Sequence, residues 1–575
     1  MHLDYSSQEN LDLIKDKKCS LLTVLDRTKT AMGARLLKKF ITAPLINKNE
    51  ILKRQEDIQF FIDNPILRDE TSRILVDVYD VERLLGKILR REANARDLTS
   101  LKYSLKAYLK LTQILKDFLS VDNKDLLPTL ILLENSIVET TSTSIKDGEI
   151  IKPEHNQELE ELYKISNKGQ DYILELEAKE REKTGIKGLK IRYNKIFGYY
   201  IEVTALNVHL VPKDYIRRQT LSNVERYITL ELKEYEDKIL GAKEKINILE
   251  YEIFKDILEK VAFNSPMIEN ISRELSYLDI IISLTEVSLK NRYVKPEIVE
   301  EKIIHIKEGR HPIVEYLEKS FIPNDLFLSE GEIIILTGPN MSGKSTYMKQ
   351  VALIILLAQI GSFVPASYAK IGIVDKIFTR VGASDDLLTG QSTFMVEMNE
   401  VSNILNNATD KSFIILDEVG RGTSTFDGIA IAKAMTEYIH NKIGAKTIFA
   451  THYHELNVLE NSLERVQNYR FEVSEEEDEV IFLKKVVKGS ADRSYGIEVA
   501  RLAGLPNEVL ERSKNLLSDF TFSKVTPQKE KNKDVFNEEK SDEIHQILEN
   551  LEIENLTPLE AFKRLLELKE KLLRR

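Results

Sequence analysis

At residues 331–345 an apolar run, GEIIILT, stops at Gly338-Pro339-Asn340-Met341-Ser342-Gly343-Lys344-Ser345, and a helix-forming stretch begins at once. No other feature of the chain constrains its fold as tightly. A buried strand, a glycine-bearing turn and a helix in direct succession match GxxxxGK[ST] in the order that phosphate binding requires. The glycines let backbone N–H groups close around phosphate oxygens, and the helix N-terminus adds the positive end of its dipole. Residues Gly338, Pro339, Asn340, Met341, Ser342, Gly343, Lys344, Ser345 and Thr346 are therefore the expected cradle. Within it Lys344 is expected on the β and γ phosphates and Ser345 on a magnesium ion.

Two further apolar runs carry polar residues at their ends. Phe413-Ile-Ile-Leu416 delivers Asp417 and Glu418, and KTIFAT delivers His452, Tyr453 and His454. Apolar runs that alternate with helices predict a parallel sheet covered on both faces, with its ligand site at the C-terminal strand ends. At that edge Asp417 suits the magnesium shell and Glu418 the attacking water, which makes ATP and Mg2+ the expected cofactors. His452 is placed to sense the γ-phosphate. The paired histidines at i and i+2 could instead mark a metal site, although they lack i, i+4 helical spacing and a nearby third ligand.

The rest of the chain reads differently. At 575 residues it is too long for one core. Residues 11–132 carry apolar side chains at three- and four-residue spacing, as in Ile51, Ile58, Phe61 and Ile62, which predicts packed helices. A charged helical stretch at 154–183 and a long helix after 228 read as outgoing and returning arms, with the β-branched and aromatic run LKIRYNKIFGYYIEVT between them as a β-rich tip. That tip is basic: Lys187, Lys190, Arg192, Lys195, Lys213, Arg217 and Arg218 precede Glu225 with few intervening acids. With Tyr193, Tyr199 and Tyr200 interleaved, they are the expected contacts to double-stranded DNA phosphates. A net charge of -11 excludes indiscriminate polyanion binding, so any such charge must act locally. The first residues lack the apolar core of a signal peptide, and the apolar run at 351–360 is too short to span a bilayer. Together with a single cysteine, Cys19, this predicts a soluble cytoplasmic protein with no membrane contact.

GPNMSGKST, DDLLTGQSTFMVEM, LDEVGRGTSTFDG and ATHYHEL together resemble the ATPase of the MutS family, a branch of the ABC-type ATPases. Upstream, LDRTKTAMGARLL resembles the start of that family's lever, and FGYYIEVT with DYIRRQTLSNVERY resembles its clamp. The resemblance implies that Phe321 stacks on adenine beside Asn324 and that Asn340 lies in the phosphate loop. It further implies that Ser392 reaches the γ-phosphate held by an opposite subunit, with Gly420-Arg421-Gly422-Thr423 across the interface. A homodimer on duplex DNA follows, with a MutL-type repair partner.

The expected architecture is multidomain. A mostly α-helical lever at 1–167 and 228–291 is interrupted by a small β-rich clamp at 168–227. An α/β ABC-type P-loop ATPase and dimerisation domain at 292–520 comes next, then a flexible linker at 521–543 and a helical tail at 544–575. Full-length family members also carry, ahead of the lever, a mismatch-reading domain with a Phe-x-Glu wedge and a connector. Met1 stands almost at the lever, which leads to the expectation that mismatch recognition is not intrinsic. Two alternatives stay open on the sequence: a recombination-type relative holding branched DNA, and a non-catalytic fragment that dimerises with full-length MutS.

Overall fold

The computed structural model describes residues 1–525 apart from 15–18, 117, 140–147, 195–197, 319, 340, 383–391, 477–478 and 491–494, together with Lys563; at 169–170, 475–476, 479–480 and 518–525 only the backbone enters. Residues to Ser494 form one unit, and those from Tyr495 form another.

The apolar runs of the α/β region become neighbouring strands. Lys376–Arg380, Phe413–Asp417, Lys446–Ala450, Ile333–Thr337 and Val466–Glu476 pair in that order, all parallel. Strand Glu479–Lys488 closes one edge antiparallel. Alternate side chains enter different cores: Ile333, Ile335, Ile414, Leu416 and Phe449 face one, while Ile334, Leu336, Ile415, Ile448 and Ala450 face the other. Both faces being buried is why these strands read as unbroken apolar runs. The apolar run at 351–360, apart from its last residue, the C-cap Ile360, falls in helix Lys344–Gln359, which is buried on nearly every side. Among the described residues no helix is long and apolar enough to cross a membrane.

Two features of this region depart from the expected sheet. His2–Leu3 adds a further parallel strand beside Lys376–Arg380, at the edge opposite Glu479–Lys488. A separate four-stranded sheet, Glu297–Val299, Tyr368–Gly372, Ile304–Gly309 and Asn324–Leu328, is mostly antiparallel.

The helical region is organised by Ser265–Asn291, which packs against Ala31–Thr42, Lys48–Asp63 and Val81–Leu89. Asp279 on that helix explains the LDRTKTAMG segment. Its carboxylate accepts the backbone N–H groups of Lys29 and Thr30 at 2.8 Å each and the Thr30 hydroxyl at 2.7 Å. Thr30 then caps Ala31–Thr42 by accepting from Gly33 N at 2.9 Å. A buried carboxylate satisfied by three donors thus sets where the helix starts.

The arms are Gln157–Thr184 and Leu230–Phe263. Tyr163 bonds Glu250, Tyr172 stacks on Tyr235 at 3.5 Å, and Lys179 pairs with Glu231. Partner numbers that fall as position rises mean that the arms run antiparallel. The boundary expected at 167/168 falls within the first arm, which is a single helix across it. Four antiparallel strands, Lys190–Asn194, Gly198–Thr204, Val224–Ile228 and Ile216–Thr220 in that order, form the tip over a core that includes Ile201, Val203, Tyr215 and Tyr227.

In the second unit helices Gly496–Leu502 and Asn507–Val525 are described. The latter runs past residue 521, where linker was expected; the tail at 544–575 lies outside the described residues except for Lys563.

Candidate active site

Strand register assembles the site. Asp417 pairs with Ala450, and Ala450 pairs with Leu336, so three strands end at one level. Gly338, Glu418 and His452 follow within two residues of that level. Gly343 caps helix Lys344–Gln359 with φ of +103°, a backbone conformation that favours glycine and that lets the loop fold back over the helix start.

Lys344 is 5% exposed and its ammonium donates to the carbonyls of Gly338 at 2.8 Å and Pro339 at 3.2 Å. Burial pulls its pKa down, and Glu418 and Asp417 pull it back up. Ser345 Oγ donates to Asp417 Oδ2 at 2.6 Å. Burial raises the Asp417 carboxyl pKa, the Ser345 bond opposes that, and the neighbouring Glu418 charge adds to it. Asp417 Oδ1 and Ser342 Oγ are buried without a hydrogen-bond partner among the described residues. An orphaned carboxylate oxygen beside a serine hydroxyl suits a hard dication, and an orphaned hydroxyl within a phosphate loop suits an anionic oxygen. These residues therefore fit ATP with Mg2+.

Glu418 stands in the left-handed region at φ of +53°, held by its N–H to Ala450 O at 2.9 Å. Its Oε1 meets His452 Nε2, and Arg421 Nη1 donates to its Oε2 at 2.6 Å. The His452 bond, reinforced by Arg421 and Lys344, pushes the Glu418 carboxyl down to about 2 against the opposing effect of burial. The group is thus an ionised acceptor through the physiological range. Backbone strain of this kind, over-determined by its surroundings, is typical of a functional carboxylate.

The structure brings Lys344, Ser345, Asp417, Glu418 and His452 together, with Gly338, Pro339, Met341, Ser342, Gly343 and Thr346 forming the loop and first turn around them. Asn340 lies outside the described residues. Ser392 is exposed and caps helix Thr393–Asn407, accepting from Met395 N at 3.2 Å; DDLLTGQ before it lies outside the described residues.

Asn324, expected beside the adenine, lies inside the fold. It is buried, its amide donates to Lys484 O at 3.0 Å and Ile322 O at 3.2 Å, and its oxygen accepts from Val486 N at 2.8 Å. The side chain ties two strands together. Phe321 is half-buried just ahead of it.

Two contacts near the site have no counterpart in the sequence reading. Glu397 accepts Gly420 N–H at 2.6 Å, and the Tyr453 hydroxyl donates to Gly420 O at 2.8 Å. The only signal was an acid one turn past Ser392 that would need a buried partner.

At the tip, Lys187, Lys190, Arg192, Lys213, Arg217 and Arg218 are exposed, and Lys195 lies outside the described residues. Arg192 pairs with Glu202 at 3.3 Å and Arg217 with Glu225 at 3.5 Å, so these two cations are partly neutralised.

Comparison with known proteins agrees with this geometry. Residues 6–285 match MutS domain III and residues 334–521 match MutS domain V. The DNA mismatch repair protein MutS of Fusobacterium nucleatum is 51% identical over 99% of this chain and 67% of its own length. That of Caldanaerobacter subterraneus is 51% identical over 99% of this chain and 68% of its own, and that of Thermodesulfovibrio yellowstonii 49% over 100% and 69%. Near-complete coverage at this identity, on a fold that assembles the ATP site, leaves one assignment: the chain belongs to the MutS family of DNA mismatch repair proteins and carries that family's ATP-hydrolysing domain.

Proposed function

We propose that this chain hydrolyses Mg2+-bound ATP at a site completed by a second copy and holds double-stranded DNA with its β-rich tip. The observation that carries the reading is the convergence of Lys344, Ser345, Asp417, Glu418 and His452 at one strand edge. Lys344 neutralises developing charge on the β and γ oxygens. Ser345 and Asp417 would hold the metal, which when bound would supply positive charge to offset that of the phosphates. Glu418, ionised and fixed by His452 and Arg421, orients the attacking water by accepting a hydrogen bond from it. Little covalent work falls to the protein; positioning and charge do most of it.

The second copy is supported by what the site leaves open. Met341 on the phosphate loop is 76% exposed, Met395 beside Ser392 is 51% exposed, and Phe426 in helix Thr425–Tyr438 is 85% exposed. Apolar side chains this open next to an active site favour a covering partner. Ser392 at a helix N-terminus is the group offered across that interface to the γ-phosphate. A MutL-type protein is the proposed repair partner of the dimer.

Mixing protomers tests the composite site. Lys344→Ala alone and Ser392→Ala alone each lose turnover, by about a hundredfold or more for the lysine. In an equal mixture half of the dimers are heterologous, and each has one site with both defects and one with neither. Turnover then returns to about a quarter of wild type for freely exchanging symmetric dimers. Formation of mixed dimers without any recovery refutes the shared site.

A further inference from the structure

The turn after Glu418 is gripped from both sides at a single peptide. Gly420 has φ of +93°, its N–H donates to Glu397 Oε1 at 2.6 Å, and its carbonyl accepts from the Tyr453 hydroxyl at 2.8 Å. Glu397 is 6% exposed, so this charge-assisted bond lies away from water, where it is strongest. Arg380 holds Glu397 from behind: its guanidinium lies 3.7 Å from Glu397 and 3.1 Å from Glu400, and it too is 6% exposed. Tyr453 is fixed in turn, because its N–H donates to Thr451 Oγ1 at 3.0 Å at the end of the neighbouring strand.

The space around the turn leaves no slack. A Cβ on Gly428 would fall 2.3 Å from the Tyr453 hydroxyl and 2.4 Å from Gly420 O, and one on Gly422 would fall 3.1 Å from Phe394 Cβ. Phe394 and Glu397 sit on the same helix, Thr393–Asn407, whose N-cap is Ser392. Gly420 is two residues from Glu418, and Arg421, which donates to Glu418 Oε2, is the next residue. The loop that aims the catalytic carboxylate is thereby bonded to the helix that presents Ser392.

We propose that Glu397, together with Tyr453, is a positioning residue for hydrolysis that fixes the Gly420 peptide, and through it Glu418 and Arg421, to the Ser392 helix. Displacement of that helix when it engages the opposite subunit's nucleotide is passed by this bracket to the subunit's own Glu418. The inference rests on the reading above, in which Glu418 orients water and Ser392 faces the partner's site.

The test uses the full chain with Mg2+, ATP and duplex DNA, and measures kcat, KM and nucleotide affinity. Glu397→Ala is expected to lower kcat on the order of 10- to 100-fold, as a misaimed carboxylate does, with affinity for ATP within about threefold of wild type. Glu397→Gln keeps an oxygen for the Gly420 N–H and restores kcat to within about threefold of wild type, which a merely structural loss would not do. A kcat for Glu397→Ala within about twofold of wild type overturns the proposal, as does a Gln variant no better than the alanine one, or a parallel loss of ATP affinity. Should Glu397→Ala fail to fold, Tyr453→Phe decides: removal of one hydroxyl lowers kcat severalfold at constant KM, and an unchanged kcat overturns the bracket. Glu418→Gln is run alongside. Turnover at the wild-type rate in that variant refutes the assignment of Glu418 itself, and the proposal falls with it, separably from a failure of the bracket.

Discussion

Gly33→Ala sets two effects of opposite sign against each other. Gly33 lies in the first turn of Ala31–Thr42, and alanine there gains about 1 kcal/mol of helix propensity. The new Cβ, however, lands 2.3 Å from Asp279 Oδ2, 2.9 Å from its Cγ and 3.0 Å from Thr30 Oγ1. Asp279 cannot simply turn away, because its oxygens take the N–H groups of Lys29 and Thr30 and the Thr30 hydroxyl. Hydrogen bonds to a buried charge contribute about 1.5–3 kcal/mol each, so the loss of one or two costs about 3–5 kcal/mol. The clash wins, and the expected net destabilisation is about 2–4 kcal/mol. A Cβ added at Gly241, in the arm Leu230–Phe263, would meet nothing within 4 Å, so Gly241→Ala is expected to stabilise by about 0.5–1 kcal/mol. Urea unfolding followed by far-UV circular dichroism reads both, the chain having no tryptophan for fluorescence. A Gly33→Ala protein as stable as wild type, or an effect that persists undiminished when Asp279 is also alanine, would refute the steric reasoning.

Lys446 is fully buried, its ammonium has no hydrogen-bond partner among the described residues, and desolvation, aided by Lys302, brings its pKa down to about 8. Below pH 8 both folded and unfolded chains carry the proton and the whole penalty of about 3 kcal/mol is present; it is relieved as pH rises from about 8 toward 10.5, so stability increases over that window. Lys446→Met is expected to be more stable than wild type at pH 7 by about that amount, with the advantage vanishing near pH 10.5; a pH-independent difference in unfolding midpoints would contradict this. At the tip, Arg218→Ala is expected to weaken duplex binding and reduce the slope of log affinity against log salt by about 1, while Arg217→Ala, whose charge is already shared with Glu225, changes it less. Salt titrations of the two variants with one duplex check this, and an unaltered slope for Arg218→Ala removes that residue from the contact set.

The residues of the ATP site were legible because each stands at the end of a local pattern. A buried strand must be apolar along its length, so the first polar residue after IIIL, FIIL or TIFA marks the sheet edge, and parallel register brings the three edges to one level. The bracket at Gly420 has no such local mark. It joins Glu397 to a turn 23 residues later and Tyr453 to one 33 residues earlier, and nothing in either neighbourhood encodes the meeting. The bonds that bury Asn324 have no local mark either: its partners Lys484 and Val486 lie 160 and 162 residues away. Basic residues at the tip were visible as composition, but their pairing with Glu202 and Glu225 is a matter of cross-strand register. The short strand His2–Leu3 gave no periodic signal at all.

The path from nucleotide to arms follows from where the phosphate-loop helix ends. Its first turn carries Lys344 and Ser345, and its last residue, Gln359, is gripped by the helical region: Leu45 N donates to Gln359 O at 3.0 Å, and Gln359 Nε2 returns a bond to Leu45 O at 2.7 Å. Arg54 Nη1 donates to Ile360 O at 2.9 Å while its guanidinium lies 3.5 Å over the Phe40 ring. Lys349, midway along, pairs with Asp12 at 3.0 Å. A helix buried on nearly every side resists bending, because a close-packed interior has no voids to take up the strain. Lys344 and the Leu45–Arg54 contacts thus stand at opposite ends of one closely packed helix. Arg54 lies in Lys48–Asp63, which packs on Ser265–Asn291, and the arm Leu230–Phe263 runs directly into that same helix at Asn264. The continuity of each arm, including the unbroken passage through residues 167 and 168, gives the tip a stiff connection to this junction. The helix that follows the arm at Asn264 and the helix Lys48–Asp63 packed on it are thus joined by direct contacts to the far end of the phosphate-loop helix.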